Sequence, residues 1–156
     1  MTVSGVGILL ARNELIQGGK IMSQRPVSGQ SHHDDAVLAA GEIYRDHGKH
    51  AWVNPNGEKN KSWSGRYIDV IAVQNTSADK AWVIEIETDD SVADSEAKDQ
   101  WKDYADAYSR WYLAVPLTSE DQARRLLSKH DISNCSLITW RRNPNGIHTF
   151  WNLPGL

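Results

Sequence analysis

Hydrophobic positions along this chain switch between helical and strand-like spacing, and the switching predicts a mixed α/β domain. After residue 30, alanines and an isoleucine recur every three or four positions as far as Gly48, which predicts a first helix capped by Ser31 with Asp34 as its capping-box partner. Segments rich in β-branched and aromatic residues then predict three strands, at Lys49 to Val53, Tyr67 to Val73 and Ala81 to Thr88.

The second half of the chain returns to helical spacing and then to strands. Ala97, Trp101, Tyr104 and Tyr108 step by four, three and four, which predicts one apolar face of a second helix over about residues 91–110. The remaining elements are predicted as a strand at 111–115, a helix from a Thr118–Asp121 capping box to about residue 129, and a hairpin of 135–142 with 146–151. This order predicts a mixed sheet flanked by helices.

Residues 1–30 differ from the rest of the chain in composition, and this composition predicts an N-terminal arm. Residues 31–156 are then predicted to form a single domain. Gly-Gly-Lys-Ile-Met, ending at Met22, can be encoded by a ribosome-binding site followed by a start codon. We therefore expect that residues 1–21 are not native and that translation starts at Met22. The stretch has no signal-peptide pattern.

Composition narrows the classes of protein and of partner. The chain of 156 residues carries 17 basic and 20 acidic side chains, a net charge of -3, so a nucleic acid must be held by a local basic patch or through a metal ion. The single cysteine, Cys135, excludes an internal disulfide and favours a reducing cytoplasm. The longest apolar run, Val6 to Ala11, is far shorter than a membrane helix requires.

Three carboxylates in the predicted strands are the main chemical signal. Asp69 lies in YIDVIAV, and Glu85 and Glu87 lie two apart in AWVIEIET, so both glutamates face the same side of their strand. A hairpin of these strands would bring Asp69 beside Glu85. Carboxylates that are buried or close together are costly unless they are paired, protonated or bound to a metal ion.

The order αβββαβ over residues 32–116, with an acid in the second strand and an acid-x-acid pair in the third, resembles the PD-(D/E)xK nuclease superfamily. The resemblance implies a restriction-endonuclease-like αβββαβ core, to which this chain adds a C-terminal hairpin. It further implies a DNA nuclease in which Asp69 and Glu85, with the carbonyl of Ile86, hold Mg²⁺ or Mn²⁺. Glu87 stands where the family usually has lysine, as in its E-x-E variants, and is expected to orient or deprotonate the attacking water.

The resemblance also assigns supporting residues. Glu42 on the first helix matches an auxiliary acid of many members, and Gln100 with Tyr104 matches the Q-x-x-x-Y motif of the exonuclease branch. Lys98 is the candidate for the missing lysine charge. DNA backbone contacts are expected at Lys61, Trp63, Arg66, Lys98, Arg141 and Arg142. Many family members of this size cut as dimers, so the resemblance implies a homodimer.

Simpler interpretations exist for each of these residues. Glu85 and Glu87 could lie on the solvent face of an edge strand, and Asp69 could pair with Arg66 or a lysine. Glu42 could be a surface residue, and Gln100 could merely pack. The adjacent His32 and His33 are better explained beside a helix cap than as metal ligands. At the level of function, the alternatives are a catalytically inactive relative that binds DNA or protein, and an aromatic-rich protein-binding module.

Overall fold

A six-stranded mixed sheet forms the centre of the protein in the computed structural model, which describes residues 16–17, 20–21 and 27–156. Two short antiparallel strands, β1 and β2, precede it, and the sheet itself has the order β3-β4-β5-β6-β7-β8. The β5–β6 and β6–β7 pairs are parallel, and the other pairs are antiparallel. The strands are β1 Ile16–Gln17, β2 Lys20–Ile21, β3 His50–Val53, β4 Val70–Val73, β5 Trp82–Ile86, β6 Trp111–Pro116, β7 Cys135–Arg142 and β8 His148–Trp151.

Three helical regions cover the sheet. The first helix is Val27–Asp46 and the last helix is Glu120–Lys129, which follows a 3₁₀ turn at Leu117–Ser119. Between them lies the middle helix, which consists of three consecutive segments, Asp94–Glu96 (α), Ala97–Trp101 (π) and Lys102–Ala107 (α). A further 3₁₀ turn at Pro55–Gly57 follows β3.

The alternation of side chains along each strand produces one apolar layer on each face of the sheet. On one face, Val70, Ile84 and Ile86 pack against the first helix through residues such as Val37 and Tyr44. The opposite face, with residues such as Ile71, Val83 and Leu113, packs against the middle and last helices. The acids Glu85 and Glu87 belong to this second face by their spacing from Val83.

The element order and the α/β class with a mixed, helix-flanked sheet are confirmed from the first helix onward. The strand predicted at 135–142 has those bounds, and Asn143–Gly146 forms the hairpin turn, in which the Gly146 N–H donates to the Asn143 carbonyl at 2.9 Å. The predicted apolar face of the middle helix is confirmed by the burial of Ala97, Trp101, Tyr104 and Tyr108.

Both predicted helix caps are wrong. The first helix begins at Val27, so Ser31 and Asp34 lie inside it, and Asp34 accepts hydrogen bonds from side chains and from a distant backbone N–H instead. Before the last helix, the Thr118 hydroxyl donates to Asp89 at 2.7 Å. Thr118 lies in the 3₁₀ turn Leu117–Ser119, and the α-helix begins only after that turn. In each case a tertiary partner replaces the local cap.

The ends of other elements also differ from the prediction. Asp69 immediately precedes β4 instead of lying within it, and the middle helix is shorter than predicted. Met22, the expected start, lies outside the described residues. In the part of the chain that the structure describes, no helix combines the length and apolarity needed to cross a bilayer.

Candidate functional site

Asp69 lies where the first helix, β4 and β5 meet. The residue is 7% exposed, and its Oδ2 accepts one hydrogen bond from the Ile86 backbone N–H at 2.8 Å and a second contact from His33 Nε2 at 3.0 Å. The Asp69 carbonyl accepts the Asn54 N–H at 2.9 Å, which continues the β3–β4 ladder past the end of the strands. The carboxylate therefore satisfies a buried donor of β5 in place of a backbone carbonyl.

His33 is buried in the second turn of the first helix, and both of its ring nitrogens face carboxylate oxygens. Opposite Asp69, the Nδ1 of His33 lies 3.1 Å from Asp34 Oδ1, which also accepts Gln30 Nε2 at 2.8 Å and the Asn56 N–H at 2.9 Å. Asn56 has φ 52° and ψ 38°, a left-handed conformation that aims its N–H back at the helix. Burial tends to raise the pKa of Asp34, but the hydrogen bonds from His33, Asn56 and Gln30 outweigh it and lower that pKa.

Glu85 faces Asp69 across the β4–β5 pair. The register pairs Val70 with Ile84, and one further step places Asp69 opposite Glu85. With the Gln100 amide oriented so that its nitrogen faces the acids, it donates to Glu85 Oε1 at 3.2 Å and to Glu96 Oε2 at 3.0 Å, while its oxygen accepts the Tyr104 hydroxyl at 3.3 Å. The predicted Q-x-x-x-Y pair thus orients the Glu85 carboxylate.

Glu87 is completely buried at the end of β5. Its Oε1 accepts the indole N–H of Trp101 at 2.9 Å, and its carbonyl accepts the indole N–H of Trp140 from β7 at 3.1 Å. The π segment of the middle helix carries Gln100 and Trp101 in succession, and the two side chains reach Glu85 in β5 and Glu87 directly after it. A π turn at such a position is common at functional sites.

The negative charges of all three acids act on Tyr104. Burial, together with the negative charges of Glu85, Asp69 and Glu87 and a hydrogen bond to Glu85, raises the pKa of its hydroxyl well above the ordinary value. The alternative that placed the glutamates on the solvent face of an edge strand is therefore wrong, because β5 is an interior strand and both side chains are buried. The proposed pairing of Asp69 with Arg66 is also wrong, because Arg66 makes a bidentate ion pair with Asp103 at 2.7 and 2.9 Å.

The donor chemistry of this cluster fits a small divalent cation. Mg²⁺ is commonly bound by one or two carboxylates and several waters, and Asp69 and Glu85 offer such a pair at facing positions. Among the residues that the structure describes, no group of three or more histidine, cysteine, aspartate and glutamate side chains forms a metal-binding cluster. A divalent cation at this site would therefore be held by Asp69, Glu85 and water molecules. Hydrogen bonds from Gln100, Ile86 and His33 orient the two carboxylates.

Two of the expected site residues lie elsewhere. Glu42 is exposed and pairs with Arg45 one turn on at 3.0 Å; nine positions after His33, it lies on the opposite side of the first helix. Lys98 is also exposed and lies in the π segment of the middle helix, two positions before Gln100.

Some of the expected DNA-contact residues make contacts within the protein, and others are exposed to solvent. Lys61 lies 4.6 Å from the Trp52 ring centroid, and Trp63 is half-buried with its carbonyl accepting the Tyr108 hydroxyl at 2.9 Å. Arg141 and Arg142 are exposed at the end of β7, directly after Trp140. Because Trp140 bonds the Glu87 carbonyl, Arg141 and Arg142 follow it at the end of β7 that lies toward the carboxyl end of β5, with their side chains on opposite faces of the sheet.

Sequence reasoning missed His33, Trp101 and Glu96. From its sequence neighbours, His33 is attributed to the start of the helix. Its spacing of four positions from the apolar Val37 indicates instead that its side chain shares the buried face of the helix. From its spacing, Trp101 is given a role in core packing alone, although its indole N–H implies a buried acceptor.

No family model, no curated protein and no solved structure matches this chain.

Proposed function

We propose that this protein is a metal-dependent nuclease with a restriction-endonuclease-like core, which hydrolyses phosphodiester bonds of DNA. One observation carries the proposal: Asp69 and Glu85 are buried acids at facing positions of adjacent strands. Their charges, together with that of Glu87, raise the pKa of the buried Tyr104 hydroxyl. Carboxylates buried at neighbouring positions destabilise a fold unless hydrogen bonds, an ion pair, a proton or a bound cation compensates them. A cation that also binds phosphate gives the cluster a chemical use.

In this proposal Asp69 and Glu85 hold Mg²⁺ or Mn²⁺, and Gln100 and Tyr104 keep the Glu85 carboxylate in place. The bound ion would supply a polarised phosphate oxygen and a more acidic water. Arg141 and Arg142 contact the DNA backbone beside the acids, and Lys61 does so from the loop before β4. Glu87 is not placed at the water, because its fully buried carboxylate holds Trp101.

A catalytically inactive nuclease-fold protein that binds DNA or protein is the second candidate. The specific observation in its favour is again Glu87, which is buried in a hydrogen bond where the family usually presents a lysine. The position that usually carries the family's lysine is thus filled by an acid that holds a tryptophan. Such a protein would bind DNA through the arginine pair and leave it intact.

Cleavage of supercoiled plasmid and of a single-stranded oligonucleotide, with Mg²⁺ or Mn²⁺ and with EDTA, tests the proposal. We expect metal-dependent cleavage that falls at least about a hundredfold in Asp69→Asn and in Glu85→Gln, since each change removes a charged ligand. Asp79→Asn and Glu120→Gln, which make the same chemical changes at exposed or half-exposed positions, are the matched controls and should cleave at the wild-type rate.

The outcomes separate the two candidates. Equal cleavage by the wild type and both site variants would place the activity elsewhere or in a contaminant. DNA binding without cleavage, combined with no Mn²⁺ binding by calorimetry, would establish the inactive relative. Sedimentation with and without a DNA duplex tests the homodimer, which the resemblance alone suggests.

A further inference from the structure

Within the described residues, both hydrogen bonds to the Asp69 carboxylate fall on the same oxygen. Oδ2 receives the Ile86 backbone N–H at 2.8 Å and His33 Nε2 at 3.0 Å. A carboxylate oxygen offers two lone pairs in its plane, so two donors occupy Oδ2. An ion bound by Asp69 must then use Oδ1, unless one of these donors is lost.

Neither donor is easily displaced. Ile86 is a fully buried residue of an interior strand, so its N–H would be left without a partner if a cation took its place. His33 is buried and anchored on its other side by Asp34, which the Gln30 side chain and the Asn56 N–H hold in turn. The successive hydrogen bonds from Asn56 to Asp34, from His33 to Asp34 and from His33 to Asp69 therefore fix the rotation of the Asp69 carboxylate.

Single-oxygen ligation distinguishes between cations. Mg²⁺ requires near-octahedral geometry at about 2.0–2.1 Å and is satisfied by one oxygen from each carboxylate and by water. Ca²⁺ takes six to eight oxygens at about 2.3–2.6 Å and often gains them from carboxylates bound through both oxygens. An aspartate that can offer only Oδ1 is a better partner for the smaller ion.

We propose that His33 is a specificity-determining residue, which holds Asp69 to one free oxygen and so favours Mg²⁺ and Mn²⁺ over Ca²⁺ at this site. The inference rests on the proposed function, because it assumes that Asp69 is a ligand. His33 is a positioning residue and not itself a ligand, since both of its ring nitrogens already face carboxylates.

Calorimetric titration of the full chain with Mn²⁺ and with Ca²⁺ tests the inference. The measured quantity is the ratio of the Ca²⁺ to the Mn²⁺ dissociation constant. We expect this ratio to fall about tenfold in His33→Phe, which keeps a ring in the buried position but removes the donor. His32→Phe, the same change at the exposed neighbouring position of the same helix, should leave the ratio unchanged.

Each result decides the matter. An equal loss of affinity for both ions in His33→Phe, with the ratio unchanged, would overturn the role of His33 and leave the proposed nuclease intact. No Mn²⁺ binding by the wild type would overturn both proposals. If His33→Phe fails to fold, the wild type decides alone: a long-range ¹H–¹⁵N correlation of the His33 ring should keep its Nε2 hydrogen bond on addition of Mg²⁺, and loss of that bond would overturn the inference.

Discussion

The indole N–H of Trp101 donates to Oε1 of Glu87 at 2.9 Å, inside a layer where neither side chain has measurable exposure. A tryptophan on the middle helix thus holds a carboxylate on β5 that the sequence places in line with the candidate ligand Glu85. The bond joins the helix to the acid cluster, and its loss should affect stability as well as the site.

Replacing Trp101 by phenylalanine should lower the free energy of unfolding by about 1–3 kcal/mol beyond the cost of the smaller ring, because a buried carboxylate loses its donor. Urea unfolding followed by circular dichroism measures the change. Trp151→Phe, at a position that is 38% exposed, is the control and should stay within about 0.5 kcal/mol of the wild type. Equal effects at the two positions would mean that the hydrogen bond contributes nothing.

Tyr104 should make stability sensitive to alkaline pH. Its pKa is raised in the folded protein by burial and by the acids, so the folded state retains a proton that the unfolded chain releases at the ordinary tyrosine pKa of about 10. The stabilisation is complete below that value and is lost as the pH rises through the folded pKa. Tyr104→Phe should therefore flatten the decline in unfolding free energy above about pH 10.

Urea unfolding at a series of pH values from neutral to alkaline measures this slope. Tyr67→Phe, at a position that is 45% exposed, is the matched control. A decline of identical steepness in Tyr104→Phe and in the wild type would show that Tyr104 is not held in its neutral form by the acid cluster.

The exposed arginine pair should contribute to DNA affinity through charge alone. Changing Arg141 and Arg142 together to glutamine should weaken duplex binding at every sequence and reduce the slope of log K against log salt by about 1–2, at roughly 0.9 per phosphate contact. Arg124 and Arg125, an adjacent exposed pair on the last helix, changed in the same way, provide the control. Fluorescence anisotropy across a salt series distinguishes the two pairs, and equal slopes would remove Arg141 and Arg142 from the interface.

Cys135 should be a poor nucleophile in the folded protein. Burial raises the pKa of its thiol to about 12, with a backbone hydrogen bond and Arg110 opposing the shift. At pH 8 we expect iodoacetamide to modify the native thiol roughly a thousandfold more slowly than the urea-unfolded chain, because the thiolate is the reacting form. Mass spectrometry of timed samples measures both rates. Comparable rates would contradict the assigned environment.

The strands were predictable because their local pattern agrees with their environment. The segments YIDVIAV and AWVIEIET became β4 and β5 with ends within three residues of the prediction, and the strand register continues to a facing position of Asp69 and Glu85. Gln100 and Tyr104 were found for the same reason, since one helical turn places both residues on one face.

The rest of the site depends on contacts between distant parts of the chain. His33 reaches Asp69 across 36 positions, and Asn56 reaches Asp34 across 22, so no local spacing could have indicated either contact. The predicted Ser31 cap failed because the first helix already begins at Val27, and the predicted Thr118 cap failed because the Thr118 hydroxyl donates to the distant Asp89. The π turn has no sequence signal comparable to an apolar stripe.

The hydrogen bond from Trp140 to the Glu87 carbonyl makes the C-terminal hairpin part of the central architecture and not an appendage. Replacing or deleting its strands would remove the Trp140 hydrogen bond and so disturb the end of β5. We expect the hairpin tip between Arg142 and Ile147 to be the place that tolerates inserted residues, because an insertion there would leave the Trp140 indole in position.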